Sequence, residues 1–280
     1  NKLLDPFLMV DEINSDEAAD YIGGFPEHPH RGFETITICK EGVVDHSDSL
    51  GASGRFGTGD VQWMTAASGV LHKEYHEENW SKAGGDFQMV QLWVNLPAKY
   101  KMSTPKYQEI QSKNMREVTL ADNAGVVKVI AGEYEGTKGN ASTFTPLHMM
   151  NAHLNKGGSA SFSFPSHFNT VVLVIEGKIT VNNEEEIPTD HLGLFENTGE
   201  ELLKLGTRPI GEILFNDAKV KRSEFELALL TAGDCDYDEA INHSGIHAKK
   251  LWARRSQFEL EGKGTIAITE TFLPHCWNES

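Results

Sequence analysis

The chain has 280 residues, which at roughly 150 residues per domain suggests about two domains. Its 25 Lys and Arg stand against 41 Asp and Glu, a formal charge of −16 that argues against a binder of duplex nucleic acid or of an anionic membrane surface, since basic side chains hold both. With 39% hydrophobic and 24% charged residues the composition is that of a folded globular chain, and apolar runs such as Val171 to Ile175 fall far short of the roughly 20 residues a membrane span needs.

In chain order, Glu34 to Lys40 alternates polar and apolar residues, as a half-buried strand should. Val61 to Met64, Phe87 to Val94, Val126 to Ala131, Thr170 to Ile175, Lys178 to Val181 and Phe225 to Leu230 are further expected strands, with glycine- and asparagine-marked corners between them. Ser103 to Leu120, which contains Pro105, reads as a crossover with one short helix. Many short strands and few helical periods point to an all-β chain of sandwich or small-barrel type. A boundary near Gly136 to Asn140 gives residues 1–135 as one domain and 136–233 as a second, with 234–280 as an extension of different character. That tail carries the basic run Lys249 to Arg255, a candidate contact patch for a protein partner.

The two halves repeat. A shift of 135 positions lays Thr35-Ile36-Thr37-Ile38 on Thr170-Val171-Val172-Leu173 and Glu41-Gly42 on Glu176-Gly177. A duplicated barrel follows. The copies differ at the positions that could carry chemistry: Ser163 stands for His28, Pro165 for His30 and Asn169 for Glu34.

The histidines carry the chemistry. His28 and His30 are two apart, so on a strand both rings point to one face. With twelve histidines, about 0.5 such pairs are expected by chance, so the pair alone decides nothing. A second element, Gly59 to His76, ends in His72-Lys73-Glu74 and again sets two ligand-type residues on one face. Three imidazoles and a carboxylate suit Fe(II), Mn(II), Co(II), Ni(II) or Cu(II), and in octahedral coordination they leave two positions for water, dioxygen or substrate.

Phe25-Pro26-Glu27-His28-Pro29-His30-Arg31-Gly32-Phe33-Glu34, Gly59-Asp60-Val61-Gln62-Trp63-Met64-Thr65-Ala66, Leu71-His72-Lys73-Glu74 and Gln91-Leu92-Trp93-Val94-Asn95-Leu96 together resemble the signature of the pirin family, within the cupin superfamily. The resemblance is clear from Asp5 to Gln108 and weaker to about Gly233, and Cys235 to Ser280 does not resemble the family's continuation. It implies a bicupin, two stacked antiparallel β-barrels of jelly-roll type. It also implies one mononuclear metal, Fe(II) favoured, held by His28, His30, His72 and Glu74 in the first barrel. Glu34, the acid many other cupins use, is the alternative carboxylate, with Arg31 as a nearby charge for it.

The implied activity is that of a quercetin 2,3-dioxygenase, opening a flavonol ring with dioxygen, with Glu74 as both ligand and base; a flavonol-like molecule and dioxygen are the partners. The second class the resemblance allows is a redox-sensing, iron-binding coregulator that works through a protein partner without turnover. His46, in the polar run Val44 to Asp48, reads as a solvated turn residue, and His76 as a rim group. Trp63 and Trp93 read as packing residues and Cys39 as a buried, inert thiol. Three cysteines are too few for a disulfide framework and favour a reducing compartment, so the expected location is the cytoplasm.

Overall fold

The computed structural model describes residues 4–165, 167–182, 185–195, 202–206 and 224–232. The tail beyond 234, with Lys249 to Arg255, lies outside them. The described residues are built from strands, with two short α-helices, α1 (Ala18–Tyr21) and α2 (Glu78–Ala83). Neither is long and apolar enough to cross a membrane.

Two compact units emerge, dividing between Lys113 and Asn114. The first contains β1 (Phe7–Ser15), β2 (Phe25–His30), β3 (Phe33–Glu41), β4 (Val43–Asp48), β5 (Ser53–Gly57), β6 (Val61–Thr65), β7 (Val70–His76), β8 (Phe87–Asn95) and β9 (Lys106–Ile110). They form a five-stranded sheet, β1-β8-β3-β6-β9, and a four-stranded sheet, β2-β7-β4-β5. The second unit holds β10 (Arg116–Thr119), β11 (Gly125–Ala131), β12 (Glu133–Tyr134), β13 (Thr137–Lys138), β14 (Leu147–Asn155), β15 (Ser159–Ser163) and β16 (Asn169–Glu176). It continues with β17 (Lys178–Val181), β18 (Glu185–Pro188), β19 (His191–Phe195), β20 (Leu202–Gly206) and β21 (Glu224–Ala232). Its sheets run β10-β11-β14-β21-β16-β19 and β15-β20-β17-β18, with β12-β13 as a small ribbon.

The two orders are the same pattern. β3 lies between β8 and β6 as β16 lies between β21 and β19, and β2-β7-β4-β5 matches β15-β20-β17-β18. The fold is that of a bicupin, each unit a pair of facing sheets rather than one continuously bonded barrel. The shared Glu-Gly step is where the chain leaves one sheet for the other. Gly42 takes φ +113° and Gly177 φ +82°, a region that costs residues with a Cβ. A Cβ at Gly42 would also come within 2.6 Å of the Phe87 ring. Gly42→Ala is therefore expected to lower unfolding free energy by roughly 1–3 kcal/mol, read from the midpoint of a denaturant titration.

Two expectations are corrected. Glu34 to Lys40 is buried on both faces apart from its last residue, not half-buried. Ile36 and Ile38 share one face with Val61, Trp63, Val90 and Leu92; Thr35 and Thr37 share the other with Gln62 and Met64. That second face is polar yet inside, because it looks toward the four-stranded sheet. The segment Ser103 to Leu120 holds two strands and a 3-10 turn rather than an α-helix. Of these, β9 pairs with β6, and β10 pairs with β11, whose other neighbour is β14. By this pairing β10 goes with the second unit, which takes up the chain again at Asn114.

Candidate metal centre

The four-stranded sheet supplies the side chains. Along β7, Val70, His72, Glu74 and His76 are buried while Leu71, Lys73 and Tyr75 are exposed, the period of two made visible. β2 lies beside it, with His28 opposite His72 and His30 opposite Val70. Between Phe25 and His28 the register slips, and this bulge re-aims the HxH pair beside His72. On the other flank β4 sets His46 opposite Glu74 and Asp48 opposite His72.

His28 Nε2 lies 3.0 Å from His30 Nε2 and 2.9 Å from His72 Nε2. His28 Nδ1 donates to the Pro26 carbonyl at 2.7 Å, so the neutral ring has a bare lone pair on Nε2. That lone pair faces the ring nitrogens of His30 and His72, so three imidazole nitrogens converge on one point. That donor set fits a divalent transition metal.

Ligand-type atoms gather in two overlapping triads, each within 4.8 Å: His28, His30 and His72, and His46, His72 and Glu74. The three expected imidazoles are thus together. Glu74 meets them through the shared His72, with its Oε1 accepting from Gln62 Nε2 at 2.5 Å. Gln62 Oε1 in turn accepts from the Tyr107 hydroxyl at 3.2 Å. Burial lowers the pKa of His28, of His46 and, to about 3, of His30, and it lowers His72 further, with the neighbouring imidazoles adding to the effect. These rings are neutral near pH 7, the state a metal needs. Burial pushes the Glu74 carboxyl up to about 7, opposed by the Gln62 amide.

Glu34 points elsewhere. It pairs with Thr65 on the face of Ile36 and Trp63, opposite to that of Gln62. Its Oε1 accepts from Trp63 Nε1 at 3.0 Å and Thr65 Oγ1 at 2.6 Å. Arg31 does not reach it; the guanidinium contacts the Met102 sulfur at 3.3 Å.

His46 is the residue the sequence reading misplaced. It is 3% exposed, stacked on Tyr107 with ring centroids 4.6 Å apart, and not a solvated turn residue. Val44 two positions earlier is buried on the same face, and the repeat lays Val44 and His46 on Ile179 and Val181, both buried. That alignment is the signal that finds it. Tyr107 was missed because its strand looked like a crossover. His76 is not at a rim but packed among Tyr21, Trp80 and Phe87. Trp63 is fully buried, and burial pushes the Cys39 thiol up to about 12, as packing and inertness required.

Residues 1–94 match the family model for pirin, and 149–216 that for the pirin C-terminal cupin domain. A Pseudomonas aeruginosa protein, provisionally named a quercetin 2,3-dioxygenase, is 41% identical over 220 residues, 75% of this chain and 77% of its own length. The chain belongs to the pirin family. A pirin-like protein of Caulobacter vibrioides is 39% identical over 228 residues, 76% of this chain and 79% of its own. The crystal structure of a quercetin 2,3-dioxygenase from Acinetobacter baumannii superposes with a TM-score of 0.74 at 36% identity, covering 84% of this pirin and 77% of that chain. Residues 191–280 also match the family model for chorismate lyase, a stretch that lies mostly outside the described residues. In the second pirin unit Ser163 stands opposite Leu202 where the first has His28 opposite His72, so the duplicated frame holds no imidazole there.

Proposed function

We propose that the chain is an iron-dependent dioxygenase of the quercetin 2,3-dioxygenase type, with Fe(II) held by His28, His30, His72 and Glu74. The observation that carries this reading is the convergence of three neutral imidazole nitrogens beside a buried carboxylate, in a pirin related to proteins named for that activity. A divalent ion in this set supplies Lewis acidity, which lowers the pKa of a bound flavonol hydroxyl. Glu74, a buried carboxylate beside the imidazoles, accepts the flavonol proton. Gln62, braced by Tyr107, orients that carboxylate. Phe33 and Trp93, half-buried with ring centroids 5.2 and 5.3 Å from His30, offer aromatic surface to a flat ligand. A cytoplasmic, reducing setting keeps both Fe(II) and the Cys39 thiol reduced.

The test is aerobic turnover of quercetin by Fe(II)-loaded protein, followed by loss of the flavonol absorbance. Turnover is expected in the wild type and absent in His28→Ala. Stoichiometric metal without turnover would move the reading to a metal-binding regulator, and a redox-dependent protein pull-down would then be the next measurement.

A further inference from the structure

The histidine on β4 and the acid two residues after it do more than fill space. Asp48 is fixed at the end of the β4–β5 hairpin: its Oδ1 accepts from the backbone N–H of Leu50 at 2.9 Å and of Ala52 at 3.0 Å. The backbone N–H of Asp48 donates to the Ala52 carbonyl at 3.0 Å. The other oxygen, Oδ2, is thereby aimed at His46 Nε2, 3.4 Å away, with both side chains almost wholly buried. Tyr107 stacks on the His46 ring at an interplanar angle of 16°, which fixes its plane. The far side of that ring, Nδ1, lies 3.3 Å from His72 Nδ1.

Protons can be assigned along this line. A carboxylate only accepts, so His46 Nε2 donates to Asp48. A neutral imidazole has one N–H, so His46 Nδ1 is an acceptor. His72 Nδ1 must then carry the proton, and the lone pair of its second nitrogen is left bare, 2.9 Å from the bare Nε2 of His28. We infer that Asp48 and His46 are positioning residues for the metal centre, holding the proton of His72 on Nδ1 so that Nε2 faces the ion as a ligand. The inference rests on the reading above that His72 holds a metal. The same logic governs the Pro26 carbonyl, which sets the tautomer of His28 from the opposite flank. Each is a partner behind a ligand that fixes ring orientation and raises basicity.

Asp48→Asn is the decisive variant because it is isosteric. Its Oδ1 still accepts from Leu50 and Ala52, so the hairpin is kept, while its amide now donates to His46 Nε2. The His46 proton moves to Nδ1, His72 Nδ1 becomes the acceptor, and the proton sits on the nitrogen that should face the metal. In metal-free protein, imidazole 15N NMR is expected to report the Nδ1–H form of His72 in the wild type and the Nε2–H form in Asp48→Asn. Nickel(II) alone, a redox-inert ion with affinity for imidazole, is expected to bind Asp48→Asn roughly 10–100-fold more weakly. His46→Leu, which has no acceptor, is expected to lose as much, and His46→Asn, whose carbonyl oxygen takes the place of Nδ1, to recover most of it. Asp48→Asn with an unchanged His72 tautomer and wild-type nickel(II) affinity overturns the inference. Equal loss in His46→Asn and His46→Leu also overturns it, since His46 would then act as a ligand or by packing. If the wild type binds no nickel(II) at all, the metal reading fails, while the tautomer measurement still decides the relay.

Discussion

Replacing His72 by Ala is expected to abolish metal-dependent stabilisation. His72 is the one residue common to both clusters of ligand-type atoms, it is 1% exposed, and its two ring nitrogens lie 2.9 Å from His28 and 3.3 Å from His46. Removing it leaves His28 and His30 on β2 with no imidazole joining them to Glu74. An ion that binds only the folded state stabilises it by about 2.7 kcal/mol at a concentration of 100 Kd. For a unit of this size, at roughly 4–5 °C per kcal/mol, that raises the thermal midpoint by about 10–15 °C. The wild type should show that rise on addition of Fe(II) under anaerobic conditions, and His72→Ala should show none at the same concentration. His76→Ala is the contrasting variant. Its ring packs against Tyr21 and Phe87, with centroids 5.0 and 4.3 Å away, so its loss should lower stability by roughly 2–3 kcal/mol while the metal-dependent rise persists. A midpoint for His72→Ala that still climbs with metal would remove this residue from the ligand set.

The difference between those two histidines shows what spacing in a sequence conveys. His28-Pro29-His30 and His72-Lys73-Glu74 declare a shared face because a strand has a period of two, and that part of the site is local. Which histidine lies behind the ligands is not local. His46 sits in Val44-Asp45-His46-Ser47-Asp48, a run polar enough to resemble a turn; only the register of β4 against β7 makes it buried. Tyr107 depends likewise on β9 joining the edge of β6. Glu34 and Glu74 are indistinguishable by residue type, and the pairing of β3 with β6 separates them by turning Glu34 to the face of Ile36. The duplicated frame was legible further than the site was, because the chain encodes it twice: Ile179 and Val181 occupy in the second unit the places of Val44 and His46 in the first. Since the second unit keeps the topology with Ser163 and Leu202 in place of His28 and His72, the imidazoles are not required to build the fold.

The two acids should part company when each is made an amide. In Glu74→Gln the side chain can still accept from Gln62, so the fold is kept, but a neutral amide replaces the carboxylate beside His72. Metal affinity is expected to fall by more than the roughly 10–100-fold that a partner behind a ligand contributes. Glu34→Gln should bind metal as the wild type does, and its signature lies in stability against pH. Burial raises the Glu34 carboxyl above its ordinary value of 4.5, with the Thr65 and Trp63 donors only partly opposing it, and Oε2 has no hydrogen-bond partner. A carboxyl with a raised folded-state pKa favours the fold in its protonated form, so its contribution is intact below the unfolded value. It is lost as pH climbs from there through the folded-state pKa. The amide does not titrate. Glu34→Gln and wild type should therefore unfold at nearly the same denaturant midpoint at pH 4, with the variant becoming the more stable as pH rises toward 8. A Glu34→Gln protein that lost its metal, beside a Glu74→Gln protein that kept it, would exchange the roles of the two carboxylates.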